Sequence, residues 1–447
     1  MLWFKFLNRL VRKYFLLLLA SGLIGGIAFL LINRLSPYLP QLVVPTKRIG
    51  LVGRYTSLNT LPEEISLLSS YGLTEILPNG RATASAIVAR WMIKNDGKEQ
   101  IFTLKPDVKW QDGSLLKSQE INYQIKGVTF EQTDDGIKIA LENPLASLPV
   151  FLSQPIYKQK LFFRQSKPLG LGEYQIKKIQ FDGSYFKSIL LRSQDKKEKI
   201  NFRFYPNQES LKNGLMLGEV DQIQGVDEIG QLANWQQLDI QPEDEKRNRY
   251  TALFFNTRKE PFSQKQFRQA LAYAVDKPSK KDRALTPISP LSWAYNNTVK
   301  SYSYNPQHAK KLLEGINGLD NLLVKIYVLP ELLDDAEAVK KNWQENLGIN
   351  SEISVTSVIP NPEEFDVYLG FGAIPPDPDQ YFFWHSTQER NISGINNPRI
   401  DQLLEDGRKT IVLEERKPIY KDFQRFLLEE CPAVFLKLPT TYTITRK

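Results

Sequence analysis

Side chains able to do covalent or metal chemistry are scarce in this 447-residue chain. It has two histidines, His308 and His385, and one cysteine, Cys431. Histidines so far apart cannot form a His-Glu-x-x-His motif or a two-histidine zinc pair on one helix. A single cysteine excludes an intramolecular disulfide and a thiolate metal cluster. There is no Gly-x-Ser-x-Gly turn, and two histidines leave no serine–histidine–aspartate set to propose. Scattered acids would permit a carboxylate pair in any chain, which argues for none. Hence no catalytic residue, metal ligand or cofactor is expected, and the protein reads as a non-enzyme. His385, beside Trp384, reads as a packed residue rather than a metal contact. What remains is aromatic surface, from 24 Phe, 19 Tyr and 7 Trp, together with acids such as Asp377 and Asp379 on either side of Pro378. Aromatic planes bury large area at little entropy cost and suit peptide or sugar ligands. The chemistry on offer is binding.

Composition is ordinary for a globular protein, with 42% hydrophobic and 24% charged residues. The length allows roughly two to four domains. Residues 1–13 form a basic segment with Lys5, Arg9, Arg12 and Lys13 and no acid. Tyr14 to Asn33 then runs without a charge, long enough at 1.5 Å per residue to reach ~30 Å as a helix. The positive-inside rule puts Met1 in the cytoplasm and the rest outside, anchored in the cell membrane by one transmembrane helix over 14–33. A cleaved secretory signal is the alternative, but its apolar stretch is shorter and ends in small residues. Without the four leading cations the net charge of +8 falls to about +4, too little for nucleic-acid binding.

The elements that must position a binding site divide in two. Residues 34–48 hold three prolines and read as a stalk. From 49 to about 250 strand-like runs dominate, separated by turns such as Asp96-Gly97, Asp112-Gly113 and Asp182-Gly183. Helical patterns are expected there at 80–95 and 208–218. Beyond 255 the balance tips toward helix. Phe267, Ala270, Leu271 and Ala274 form one stripe, Asn305-Pro306 is a helix start, and 334–347 and 398–430 are amphipathic. Between them lie the strands LLVKIYVL, SEISVTSV and FDVYLGFG.

Six blocks in order then resemble the family 5 extracellular solute-binding proteins, the oligopeptide, dipeptide and nickel receptors of ABC importers. They are GLTEILPNGRATASAIVARWMIKNDGKEQIFTLKPDVKWQDG, LGLGEYQI, FRFYPNQESLKNGLMLGEVDQIQG, YTALFFNTRKEPFSQKQFRQALAYAVDK, YNPQHAKKLLE and DPDQYFFWHS with the C-terminal stretch behind it. The resemblance implies an α/β, two-lobed periplasmic-binding-protein-like fold of type II, with a double-crossover hinge. Lobe I would cover 49–250, completed by 431–447, and lobe II 251–430. The crossings would fall near Tyr250–Asn256 and Glu430–Phe435. It implies capture of a small solute or peptide and delivery to permease and ATPase subunits. A membrane-anchored ligand sensor or a degenerate binding scaffold would share the same fold.

The resemblance also implies site residues. Laying DPDQYF on the family motif puts Phe371 where peptide-binding relatives carry a Trp, and Ile374 where they carry an Asp that pairs with the peptide ammonium. Phe371, Gly372 and Ala373 would line the cleft. An apolar Ile374 favours a ligand with a neutral or blocked end. Asp377 is a replacement anchor if the alignment shifts, or a cap of the following helix. Trp293 and Tyr295 in SPLSWAY, Tyr55 after the first strand and Asn256 complete the expected set, each with packing as its alternative.

Overall fold

The computed structural model describes residues 44–447 apart from 163–164, 244–247, 279–281 and 320, together with isolated positions between 14 and 29. The expected span over 14–33 therefore lies largely outside the described residues. Among those described, no helix is long and apolar enough to cross a membrane.

Two sheets organise the chain. The first has seven strands in the spatial order Tyr174–Asp182, Tyr185–Ser193, Lys199–Tyr205, Thr46–Val52, Gln222–Val226, Tyr442–Arg446 and Leu238–Pro242. Its centre is parallel, Thr46–Val52 running with Lys199–Tyr205 and Gln222–Val226. Its two faces bury separate clusters, one around Ile189, Leu191 and Phe202, the other around Leu211, Leu215, Ile223 and Ile444. The helix Gln208–Met216 contributes Leu211 and Leu215 to the second cluster, and Asn207 caps it by accepting from the Ser210 amide.

A four-stranded antiparallel sheet, ordered Val88–Lys94, Glu99–Leu104, Gly136–Leu141 and Val128–Gln132, is built on the first lobe around its own core of Phe102, Trp110, Ile137 and Ile139. Here the expected helix over 80–95 is replaced by strands Ala82–Ala84 and Val88–Lys94. The alanine spacing satisfied a helical period, but Asn95 and Asp96 both take positive φ (52° and 51°) and turn the chain back on itself. Trp91 then stacks on Phe102 of the returning strand at 5.4 Å, a cross-strand pair that outweighs local propensity.

The second sheet has five strands, ordered Asn350–Val355, Leu323–Val328, Val367–Ala373, Arg249–Phe255 and Ala433–Lys437. Helices Lys265–Ala274, Pro306–Leu313, Leu333–Leu347, Pro398–Lys409 and Leu413–Glu430 surround it. They share one continuous core in which Phe267, Leu271, Trp343, Phe423 and Leu427 are fully buried. The single amphipathic stretch expected at 398–430 is two helices, parted at residues 410–412. Arg268, on the buried face of its helix, donates to the carbonyls of Phe262, Ser263, Glu430 and Cys431 and ties the helix to the end of Leu413–Glu430. Burial pushes the Cys431 thiol up to about 11.

The crossings differ from expectation. The expected crossings near Tyr250–Asn256 and Glu430–Phe435 fall largely on Arg249–Phe255 and Ala433–Lys437, which are neighbouring antiparallel strands inside the second sheet. Both are buried along nearly their whole length, so the second core claims them. The chain leaves the first sheet after Pro242 and is in the second from Arg249, then leaves the second after Lys437 and rejoins the first at Tyr442, earlier and later than expected. Residues 431–437 belong with the second lobe, and only Tyr442–Arg446 returns to the first. Glu243 stitches the two passages together. Its amide donates to the Thr441 carbonyl at 2.7 Å, and its carboxylate accepts from the hydroxyls of Thr441 and Thr443.

Candidate functional site

The strand Val367–Ala373 leaves the second sheet directly into Ile374-Pro375-Pro376-Asp377-Pro378-Asp379. The prolines cannot extend the ladder, so the strand ends and the backbone turns along the boundary between lobes. Both acids of this turn are engaged. Asp377 is buried and takes a two-point contact from Arg416, at 2.6 and 2.7 Å. Burial raises the Asp377 carboxyl above the usual aspartate range and Arg416 opposes that rise. Burial works against the Arg416 charge in turn, yet the facing carboxylate drives its pKa above the usual arginine value. Asp379 lies 3.0 Å from Arg408 Nε and accepts from Ser147 Oγ of the first lobe at 2.9 Å. Asp377 also caps the Asp379 amide. Of the two roles offered for Asp377, a replacement ammonium anchor is corrected, because both of its oxygens are engaged by Arg416 and the Asp379 amide.

Asn256 is corrected as well. It is fully buried, and its side-chain amide donates to the carbonyls of Pro362 and Phe365, so it closes a turn rather than facing a solute. Gly372 is a packing position, since a Cβ there would fall 2.1 Å from the Tyr250 ring. Phe371 is half-buried with the Arg249 guanidinium 4.3 Å from its ring centroid. Arg249 in turn pairs with Asp227 of the first lobe, which also accepts from Gln208 Nε2 at 3.1 Å. Ala373, beside it, is exposed. Tyr55 packs edge-on against Phe204, 4.9 Å away within the first lobe, and Tyr295 is half-buried. His385 is buried, its Nδ1 2.9 Å from Thr387 Oγ1.

Trp293 joins the two halves. Its amide donates to Asn79 O at 3.1 Å and its indole N–H to Gly80 O at 3.3 Å. Behind it lie Tyr420 at 6.0 Å and the Arg416 guanidinium at 5.5 Å. Gly80 takes φ +81°, and a Cβ there would lie 2.6 Å from Pro376 O, so only glycine fits without strain. Farther along, the Ala146 amide donates to Arg408 O at 2.8 Å. The lobes therefore touch along a line from 79–80 to 146–147.

Two hollows bear on binding. The larger, about 610 Å³, is lined entirely from the first lobe, with Asn59, Tyr123, Gln154, Phe181 and Phe186 among its walls. The smaller, about 140 Å³, takes walls from both sides of the boundary: Pro78 and Gly80 from the first lobe, Asn248 from the passage, and Ile288, Ile374 and Gln380 from the second. The family comparison pointed to Ile374, but Gln380, Asn248 and the Pro78–Gly80 loop were missed. Their only signal was the cluster of prolines and glycine, which marks a close backbone approach without naming its partner. Among the described residues no group of acids, histidines and cysteine is placed to hold a metal ion.

The sequence over residues 83–393 matches the profile of the bacterial extracellular solute-binding proteins, family 5 middle region. The dipeptide-binding protein of Escherichia coli K12 is 21% identical over 84% of this chain and 83% of its own. Among solved structures, the ABC transporter substrate-binding protein CtaP of Listeria monocytogenes superposes with a TM-score of 0.74 at 18% identity, covering 90% of this chain and 94% of that one. NikZ of Campylobacter jejuni, in complex with Ni(L-His), gives 0.72 at 22% identity with the same coverage. Two sheets joined by two passages, with a hollow between them, carry that family's sequence profile across most of their length. This chain belongs to the family 5 bacterial extracellular solute-binding proteins.

Proposed function

We propose that the protein is the substrate-binding component of an ABC importer. It takes a peptide-like or other small solute between its lobes and presents it to a permease driven by ATPase subunits. The observation that carries this reading is the pairing of a two-passage hinge with a boundary pocket walled from both lobes. Lobes joined by short passages close as rigid bodies about them, and a solute bound to both shifts the equilibrium toward closure. Relatives that bind dipeptides, oligopeptides and nickel complexes support the breadth of the solute class. The family is made of binding proteins rather than enzymes, and nothing in the site calls for bond-making.

Solute retained through native purification, identified by mass spectrometry, tests the reading. Removing it by partial unfolding and refolding should increase the radius of gyration in small-angle scattering, and adding it back should reverse the change. A protein that retains no solute, and whose scattering responds to none of the peptides, amino-acid–nickel complexes and sugars supplied, would refute it.

The same reading places the binding lobes outside the cell, tethered through residues 14–33. The uncharged run and the four cations before it support this topology. N-terminal sequencing of the membrane-extracted protein should begin at Met1 or Leu2. A start beyond Arg34 would mean that the segment is removed.

A further inference from the structure

We propose that the boundary pocket receives a compact, neutral end group that offers one hydrogen-bond donor, such as an acylated amino terminus. The bound solute then enters with a blocked end rather than with an ammonium or carboxylate. The proposal deepens the importer reading and rests on it.

Size comes first. At about 140 Å³ the pocket is well below the ~300–1,000 Å³ of sites that enclose a whole drug-sized ligand. It compares with an apolar cavity of about 150 Å³ that holds a benzene-sized guest. It therefore seats one end of a solute, not the whole.

Charge comes second. Every described wall residue is uncharged, from Pro78 and Gly80 through Asn248 and Ile288 to Ile374 and Gln380. The nearest acids along the chain, Asp377 and Asp379, are committed to Arg416, Arg408 and Ser147. A charged end group would lose its water here and meet no counter-charge among the described residues.

The third observation selects the donor. Gln380 is fully buried, and its Nε2 donates to Pro287 O at 3.3 Å. That contact assigns Oε1 as the other atom of the carboxamide, and Oε1 is buried with no hydrogen-bond partner. An unmet buried acceptor is costly, and an amide N–H or hydroxyl on the guest would satisfy it. The first-lobe wall is the 78–80 loop, held against Pro376 by Gly80 and Trp293. The pocket is thus complete only when the lobes are together, and filling it favours closure.

Titration calorimetry on the full chain, with trialanine and N-acetyl-trialanine as probes, tests the proposal. N-acetyl-trialanine should bind, and trialanine should bind on the order of 30-fold or more weaker, the loss typical of a buried charge without its partner. Gln380→Leu should weaken the acetylated probe about tenfold. Ile374→Asp should reverse the order of the two. Equal or tighter binding of free trialanine to the unaltered protein would overturn the proposal. So would the absence of heat with both probes in both the unaltered protein and Ile374→Asp. These outcomes are separate from failure of the importer reading. A retained solute that closes the lobes yet carries a charged end into the pocket would sink the inference alone, whereas the absence of any closing solute would sink the reading beneath it.

Discussion

Removing residues 439–447 should unfold the first lobe while leaving the second lobe's strand Ala433–Lys437 protected. The last strand, Tyr442–Arg446, is not an appendage. It is hydrogen-bonded on both edges, antiparallel to Gln222–Val226 on one side and to Leu238–Pro242 on the other. Ile444 is fully buried against Leu211, Leu215 and Ile223. Arg446 and Lys447 add bonds to Asp221 O and Gln237 O, at 2.9 and 2.8 Å. Without the strand, Leu238–Pro242 loses its sheet neighbour and one face of the parallel centre is opened. Truncating the Ile444 side chain alone, Ile444→Ala, should cost about 2–5 kcal/mol. The deletion exceeds that, and it is comparable with the ~5–15 kcal/mol that holds a typical domain folded. Hydrogen exchange read by mass spectrometry should find protection lost at 46–52 and 222–226, distant in sequence from the cut. If protection fell instead only in 413–437, the strand would be an ornament of the second lobe and the two-passage architecture would be wrong.

The second large effect is expected at Arg416. Its guanidinium makes the two-point contact with Asp377, donates to Gly407 O at 2.6 Å and lies 5.5 Å from the Trp293 ring. Arg416→Met would leave a carboxylate buried without its cation, a loss of about 3–5 kcal/mol in denaturant unfolding. Replacing both partners, Arg416→Met with Asp377→Leu, should recover most of that loss, because a buried pair exchanged for apolar groups is often neutral. The pH dependence follows from burial, which raises the folded-state pKa of Asp377 and is unopposed once the cation is gone. In the unfolded chain an aspartate titrates near ~3.9. A raised folded pKa on an acid is a penalty at neutral pH that is relieved as the pH falls toward the unfolded value. The deficit of Arg416→Met relative to the unaltered protein should therefore shrink between about pH 7 and 4. A deficit under 1 kcal/mol, or one independent of pH, would mean that the pair is not what holds the turn.

Residue types and their spacing were enough to read much of this protein directly. The stripe of Phe267, Ala270, Leu271 and Ala274 lies on the buried face of Lys265–Ala274, because helical periodicity reports which face must leave water. Asn305-Pro306 begins Pro306–Leu313 as expected, and the Asn305 side chain accepts from the His308 amide. The strands at 323–328, 350–355 and 367–373 stand where apolar runs between turns put them. The scarcity of histidine and cysteine, with the ordered family blocks, was sufficient for a binding protein. These are local or compositional signals, and each is complete within a few residues.

What tertiary structure alone decided depends on partners far away in sequence. The residues at 80–95 became strands because Phe102 and the Asn95–Asp96 turn were there to receive them. Asp377 became an internal ion pair because Arg416, 39 positions later, reaches the same buried point. Trp293 was drawn to the 79–80 loop, 213 positions earlier, and spends its indole N–H on the boundary between lobes. Gln380 carries no signal of its own, and only burial leaves its side-chain oxygen without a partner. A side chain's character is written in its type, but which of its bonds remain open for a ligand is settled by what folding brings against it, and a linear pattern holds no record of that competition.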